Sequence, residues 1–215
     1  MNKTAFVFPG QGAQFAGMGK DFYDNFKESR EIFHRANEAL GFDITKLCFE
    51  GPDEELSVTK ITQPALLTVC LAIYEVLKKN DNSAVMGGLS LGEYSALTAA
   101  GAMDFETAVR LVYKRGNYMQ NTVPLGEGGM LALLGCTDED AIAFCNDITG
   151  KYGLLEPANF NCPGQIVTGG RSTAIDNAVD KMQRQIERFK GKRARGRGDG
   201  TPASEVVVPE ETPDA

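Results

Sequence analysis

The chain lacks an excess of positive charge, lacks a long apolar run and has a single histidine, and each shortage excludes a class of function. Its 22 Lys and Arg stand against 29 Asp and Glu, a net charge of −7. A protein working mainly on nucleic acid or on an anionic membrane needs the opposite sign, so neither partner is expected. No stretch approaches the ~18 consecutive apolar residues of a membrane span. The start, Met1 to Phe8, meets Pro9-Gly10 before a signal-peptide core could form, so a cytoplasmic location is expected. Cys48, Cys70, Cys136, Cys145 and Cys162 are odd in number and irregularly spaced. That fits neither a disulfide framework nor a zinc site, and they are expected to be buried thiols with no metal bound. There is no internal repeat, no G-x-G-x-x-G and no P-loop.

What is present is enough chain, 215 residues, for a sizeable core and one or two domains. Thr4 to Phe8 reads as a buried strand stopped by Pro9-Gly10. Asp21 to Leu40 carries Phe22, Phe26, Ile32, Phe33 and Ala36 at helical spacing and ends at Gly41. Gln63-Pro64 is placed to open a helix over Ala65 to Leu77, since proline suits a first turn. Ser83 to Gly88 reads as a strand and Leu91 to Ala100 as a helix closed by Gly101, and Asp104 can cap a helix reaching Gln120. The alternation points to an α/β layer fold with a parallel sheet. A smaller unit follows, with a strand over Gly129 to Gly135, a helix over Asp138 to Ile148, strands over Leu154 to Phe160 and Gln165 to Thr168, and a helix over Ser172 to Ile186. This β-α-β-β-α order lacks the last strand of a ferredoxin-like unit. From about Lys190 a basic and then acidic composition, with no core-forming period beyond Val206-Val207-Val208, is expected to be disordered. The expected partition is therefore 1–124, 125–186 and a divergent tail over 187–215.

Three constellations carry chemistry. Gly88-Leu89-Ser90-Leu91-Gly92 places a G-x-S-x-G between a strand and a helix, as a nucleophile elbow requires. The alternative is a turn whose serine only caps the helix. Phe8-Pro9-Gly10-Gln11-Gly12-Ala13-Gln14 follows the first strand, and its backbone N–H groups can hold an oxyanion or simply form a turn. Arg115 falls on the apolar stripe of Ala108, Leu111, Val112 and Met119. An inward guanidinium needs an anion, either a ligand carboxylate or a structural one such as that of Glu93.

These segments occur in order with Thr62-Gln63-Pro64-Ala65, Glu93-Tyr94, Lys114-Arg115-Gly116 and Ala158-Asn159-Phe160-Asn161-Cys162-Pro163-Gly164-Gln165. Together they resemble the acyltransferase family of malonyl-CoA:acyl carrier protein transacylases and of the acyltransferase domains in fatty-acid and polyketide synthases. The resemblance covers about residues 1–182. It implies an α/β-hydrolase-like large subdomain, here incomplete, with an inserted ferredoxin-like small subdomain lacking its last strand. It implies that Ser90 is the catalytic nucleophile, that the Gln11 and Leu91 N–H groups form the oxyanion hole and that Arg115 binds the malonyl carboxylate. Gln63 would lie close to the substrate, and Asn159 and Asn161 near the substrate channel. It further implies malonyl-CoA as substrate, acyl carrier protein as partner and no cofactor beyond the phosphopantetheine that partner carries. Many relatives have histidine where Leu89 stands, which bears on acyl preference. The family's catalytic histidine follows the serine in sequence, whereas the one histidine here, His34, precedes it. The break near Gln183 is expected to reflect C-terminal truncation or a frame shift, and the chain is expected to be inactive. A serine hydrolase on the same scaffold and a non-catalytic remnant are the alternatives.

Overall fold

The computed structural model describes residues 4–80, 85–122 and 126–196, by backbone alone at 80 and 191–196. The chain divides into two compact units, Met1–Pro124 and Leu125–Ala215.

The first unit opens with β1 (Ala5–Phe8). Five helices follow: α1 (Lys20–Asn25), α2 (Lys27–Leu40), α3 (Ile44–Glu50), α4 (Asp53–Leu56) and α5 (Thr59–Leu77). Only then comes β2 (Val85–Gly88), paired in parallel with β1, Ala5 opposite Val85 and Phe8 opposite Gly88. α6 (Leu91–Ala99) and α7 (Phe105–Thr122) complete the unit. The parallel pairing is as expected, but strands and helices do not alternate evenly, since all five helices lie between the two strands. β1 is not a fully buried strand either. Phe6 and Phe8 turn to Tyr74 with ring centroids 5.2 and 6.2 Å away, while Val7, pointing to the opposite face, is 77% exposed.

The helix expected over Asp21 to Leu40 is two helices. Phe26, at φ −127° and ψ 125°, breaks it and serves as the N-cap of α2. α5 begins at Thr59, so Pro64 lies inside it and does not open it. The turn ahead of the proline is held by the Thr62 hydroxyl, which donates to Leu56 O at 2.7 Å. By length and composition α5 could cross a bilayer, but it is 72% buried. It is the central core helix, packed with Phe33, Ile44, Leu56, Val109 and Val112. Burying each such side chain contributes about 1.5–3 kcal/mol. On α7 the buried face is Phe105, Ala108, Val109, Val112 and Gly116, whereas Leu111 and Met119, expected on the same stripe, are exposed. Asp104 caps α7 as its sequence suggests, accepting from Thr107 N at 2.8 Å.

The second unit runs β3 (Gly128–Leu134), α8 (Asp138–Tyr152), β4 (Leu155–Cys162), β5 (Gln165–Arg171) and α9 (Ser172–Gly196). Its antiparallel sheet has the order β3-β5-β4. That is the ferredoxin-like arrangement without an outer strand among the described residues. Ile148, Leu155, Ile166, Ala174 and Ala178 fill its core. α9 passes the expected end at Ile186 and continues to Gly196. Its Lys, Arg, Gln and Ala residues are intrinsically good helix formers, which favours the extension. The expected separation at 187 is thus absent, and the stretch 197–215 lies outside the described residues.

All five thiols are free. Only Cys48 and Cys145 are buried; Cys70 and Cys136 are half-buried and Cys162 is exposed, on the outer strand β4. Burial pushes the Cys48 thiol up to about 12 and that of Cys70 up to about 11.

Candidate active site

The end of β2 meets the start of α6 at a turn too tight for side chains on either flank. A Cβ on Gly88 would lie 2.0 Å from the Gly92 carbonyl carbon, and one on Gly92 would lie 2.1 Å from Phe8 O. Ser90 sits between them at φ 54° and ψ −102°, the one non-glycine residue with positive φ among the described residues. Its hydroxyl makes no capping hydrogen bond to α6. The serine is therefore not there to cap the helix; it is held in a strained conformation that projects an exposed hydroxyl at a helix N-terminus.

Arg115 meets that hydroxyl. Its Nη2 donates to Ser90 Oγ at 3.1 Å and its Nη1 to Gln63 Oε1 at 2.8 Å. The guanidinium carbon also stands 5.5 Å from the centroid of the Tyr94 ring, a cation–π distance. The salt bridges of the described residues involve Lys20, Arg35, Lys78, Lys79, Lys151 and Lys181. Arg115 has neither Glu93 nor any other carboxylate as a partner among those residues. A half-buried cation held by two neutral oxygens and a ring retains the capacity to take an anion.

Gln63, fully buried on α5, reaches Arg115 because α7 crosses α5 at Gly116. A Cβ there would lie 2.7 Å from Lys60 Cα and from Thr59 O. Gln120, one turn on, accepts from Thr59 N at 3.3 Å.

The Gly10-Gln11 loop passes against the residue before the serine, since a Cβ on Gly10 would be 2.8 Å from Leu89 O. The Gln11 side chain donates to Thr59 Oγ1 at 3.2 Å. Gly12 N–H is taken by Gln14 Oε1 at 2.8 Å, so it is not the loop's free donor. Leu91, the first residue of α6, has an N–H with no intrahelical acceptor.

Asn159 and Asn161 belong to the second unit, on β4, where Asn161 Nδ2 donates to Gln165 Oε1 at 3.4 Å. His34 is exposed on α2, its ring 6.0 Å from that of Tyr23, in a shallow groove with Lys27, Arg30, Glu31, Arg35 and Glu38. Tyr94, Thr59 and the contact of Met119 with Gln63 were not legible as parts of the cluster. The spacing of four between Ser90 and Tyr94, and between Arg115 and Met119, is the one signal that places them on the same helix faces.

A nucleophile-type serine on a positive-φ turn from a parallel strand into a helix, flanked by close-packed glycines, defines an α/β protein of the serine-elbow class. The chain belongs to the acyl transferase domain family, whose profile matches residues 5–195. It is 45% identical over 181 residues to the malonyl CoA-acyl carrier protein transacylase of Bacillus subtilis, covering 84% of this chain and 57% of that protein. The crystal structure of the same transacylase from Clostridium perfringens superposes with a TM-score of 0.79 at 47% identity, covering 85% of this chain and 58% of that one. A malonyl-transacylase in complex with a type II PKS acyl-carrier protein gives a TM-score of 0.77 at 41% identity, covering 83% and 58%. The chain thus spans less than two thirds of the length of these relatives.

Proposed function

We propose that this chain carries the acyl-binding machinery of malonyl transfer from malonyl-CoA, through an ester on Ser90, to the phosphopantetheine thiol of acyl carrier protein. The observation that carries the reading is the Arg115 guanidinium, 3.1 Å from Ser90 Oγ with no carboxylate partner among the described residues. It suits an acyl group that ends in a free carboxylate. The names of the relatives support the same substrate and partner.

In this reading Ser90 Oγ attacks the thioester carbonyl carbon as its proton passes to a general base. The carbonyl oxygen becomes an oxyanion facing the N–H groups of Leu91 and Gln11. As the tetrahedral adduct collapses, the carbon–sulfur bond breaks and the coenzyme A thiol leaves with a proton. The carrier's thiol then attacks the seryl ester and restores the Ser90 hydroxyl. Gln63 orients Arg115. The reaction draws on no metal or redox cofactor, and the phosphopantetheine arrives on the partner. The reading carries a cytoplasmic location, in keeping with five free thiols.

Proton transfer needs a base, and the chain's one imidazole, that of His34 on α2, packs against Tyr23 on α1. Binding without appreciable turnover is therefore expected of the 215-residue chain, about 10⁴-fold or more below a complete dyad. A serine hydrolase is the weaker reading, since an uncharged acyl group gives Arg115 nothing to bind.

The test is equilibrium binding of malonyl-CoA and acetyl-CoA, with a mass-shift assay for acyl ester on Ser90. A carboxylate held by Arg115 is worth about 2–4 kcal/mol, a preference for malonyl-CoA of ~30- to 1000-fold. Arg115→Ala should erase that preference and leave acetyl-CoA binding nearly unchanged. Equal affinity of the unaltered chain for both thioesters would refute the reading.

A further inference from the structure

We infer that Met119 is a positioning residue for Arg115, acting through the amide of Gln63. Gln63 is fully buried, so both ends of its amide must find partners within the protein. Its Oε1 accepts from Arg115 Nη1 at 2.8 Å, and its Nε2 donates to the Met119 thioether sulfur at 3.1 Å. Arg115 and Met119 stand one turn apart on α7, and Gly116 between them allows α7 to close on α5. The two side chains therefore grip the Gln63 amide from its two ends.

The chemistry of the grip has one polarity. A guanidinium only donates and a thioether only accepts. With the amide reversed, Nε2–H would face the guanidinium N–H groups and Oε1 would face the sulfur lone pairs, donor against donor and acceptor against acceptor. A second donor in place of the sulfur would leave the amide in conflict, and a purely apolar side chain would leave Nε2–H unpaired in a buried site. Met119 is thus the acceptor that keeps Oε1 turned toward Arg115. With Nη1 fixed there, the guanidinium plane holds Nη2 toward Ser90. Met119 touches neither Ser90 nor an acyl group in this account. It sets the direction of the group that binds the acyl carboxylate, and that consequence rests on the malonyl reading, whereas the grip itself does not.

Leucine and glutamine at position 119 separate this role from packing. Leucine keeps the apolar volume and removes the acceptor; glutamine is unbranched like methionine and supplies an amide oxygen as acceptor. At a side chain 48% exposed, a packing role predicts that leucine is tolerated and is indifferent to glutamine, whereas the positioning role predicts that leucine is not tolerated and glutamine is. The first readout is the side-chain NMR signals of Gln63 Nε2–H₂, assigned by their loss in Gln63→Glu, and of the Arg115 guanidinium. Met119→Leu should shift both sets, and Met119→Gln should leave the Arg115 signals near their original positions. The second readout is malonyl-CoA affinity, expected to fall about 3- to 10-fold in Met119→Leu and to stay within about twofold in Met119→Gln. Signals unchanged in Met119→Leu, or a Met119→Gln that perturbs Arg115 more than Met119→Leu does, overturns the inference. If the unaltered chain shows no preference for malonyl-CoA, the functional reading fails, and the NMR comparison still decides the role of Met119.

Discussion

In the second unit, threonine hydroxyls are satisfied by neighbouring backbone. Thr168 donates to Leu131 O at 3.2 Å, and the Thr149 hydroxyl both donates to Leu155 O and accepts from Leu155 N. Among its described residues φ is positive only at glycines. In the first unit a buried amide is spent on a cation and a sulfur, a serine is held at φ 54°, and a guanidinium lies half-buried with no carboxylate partner among the described residues. Each of these departures costs stability, and they converge on one hydroxyl. The contrast teaches where to look for chemistry: the unit that breaks local rules in several places at once, around a single atom, is the one carrying the site.

The contrast is sharpest at the glycines. In Gly88→Ala the new Cβ would overlap backbone atoms 2.0 and 2.1 Å away, which cannot swing aside as a side chain can. A loss of about 4 kcal/mol or more in unfolding free energy is expected. The same exchange at Gly150, inside α8 with no atom within 4 Å of its Cβ position, should stabilise by about 0.5–1 kcal/mol. Denaturant titration of both variants checks the pair, and a mild Gly88→Ala would mean that the elbow is not tightly closed.

Strain at the serine gives the next largest effect. Ser90→Gly and Ser90→Ala both lose the hydrogen bond from Arg115, and only glycine relieves φ 54°. The glycine variant should be more stable than the alanine variant by about 1–3 kcal/mol. Equal stability of the two would show that the serine conformation stores no energy, and the contrast between the units would lose its central element.

Much of this was legible in the sequence, and the failures share a cause. Asp104 announces its cap because capping is local: its carboxylate accepts from Thr107 N at 2.8 Å, three residues on. Gly88 and Gly92 announce the elbow because they bracket the serine directly. Phe26 was misplaced because it fits the apolar period of a continuous helix, and only its extended dihedrals separate α1 from α2. Pro64 was misplaced because its tolerance inside α5 depends on surrounding packing. The partners of Arg115 were hidden by distance along the chain. Gln63 lies 52 residues from it, and 56 separate Gln63 from Met119. No periodicity reports which amide will meet which sulfur. The exposed Val7 was hidden for a related reason: whether a β-strand is covered on both faces depends on elements elsewhere in the chain.

The smallest effect concerns charge in the second unit. Asp147 accepts from Lys151 at 2.7 Å on one carboxylate oxygen and from Lys181 at 2.7 Å on the other, tying α8 to α9. Those hydrogen bonds hold its carboxyl below the usual carboxylate range. Its folded pKa is therefore lower than its unfolded one, and the unfolded chain takes up the proton first as the solution is acidified. The contribution of Asp147 is fully present above the unfolded value of about 4 and is lost as pH falls through the lowered folded value. The group is about one-third exposed, so screening by water keeps the gain at ~1 kcal/mol or less. Asp147→Asn should thus be slightly less stable than the unaltered chain at pH 7, and the difference should close on acidification. In the first unit the Arg35 hydrogen bonds depress Glu106 in the same direction, so the variant keeps part of the acid sensitivity of the unaltered chain. Denaturant midpoints of both proteins between pH 7 and the acid limit measure the gap. A gap that widens with acid would mean that Asp147 is held in its protonated form, and the ion pair joining α8 to α9 would have to be abandoned.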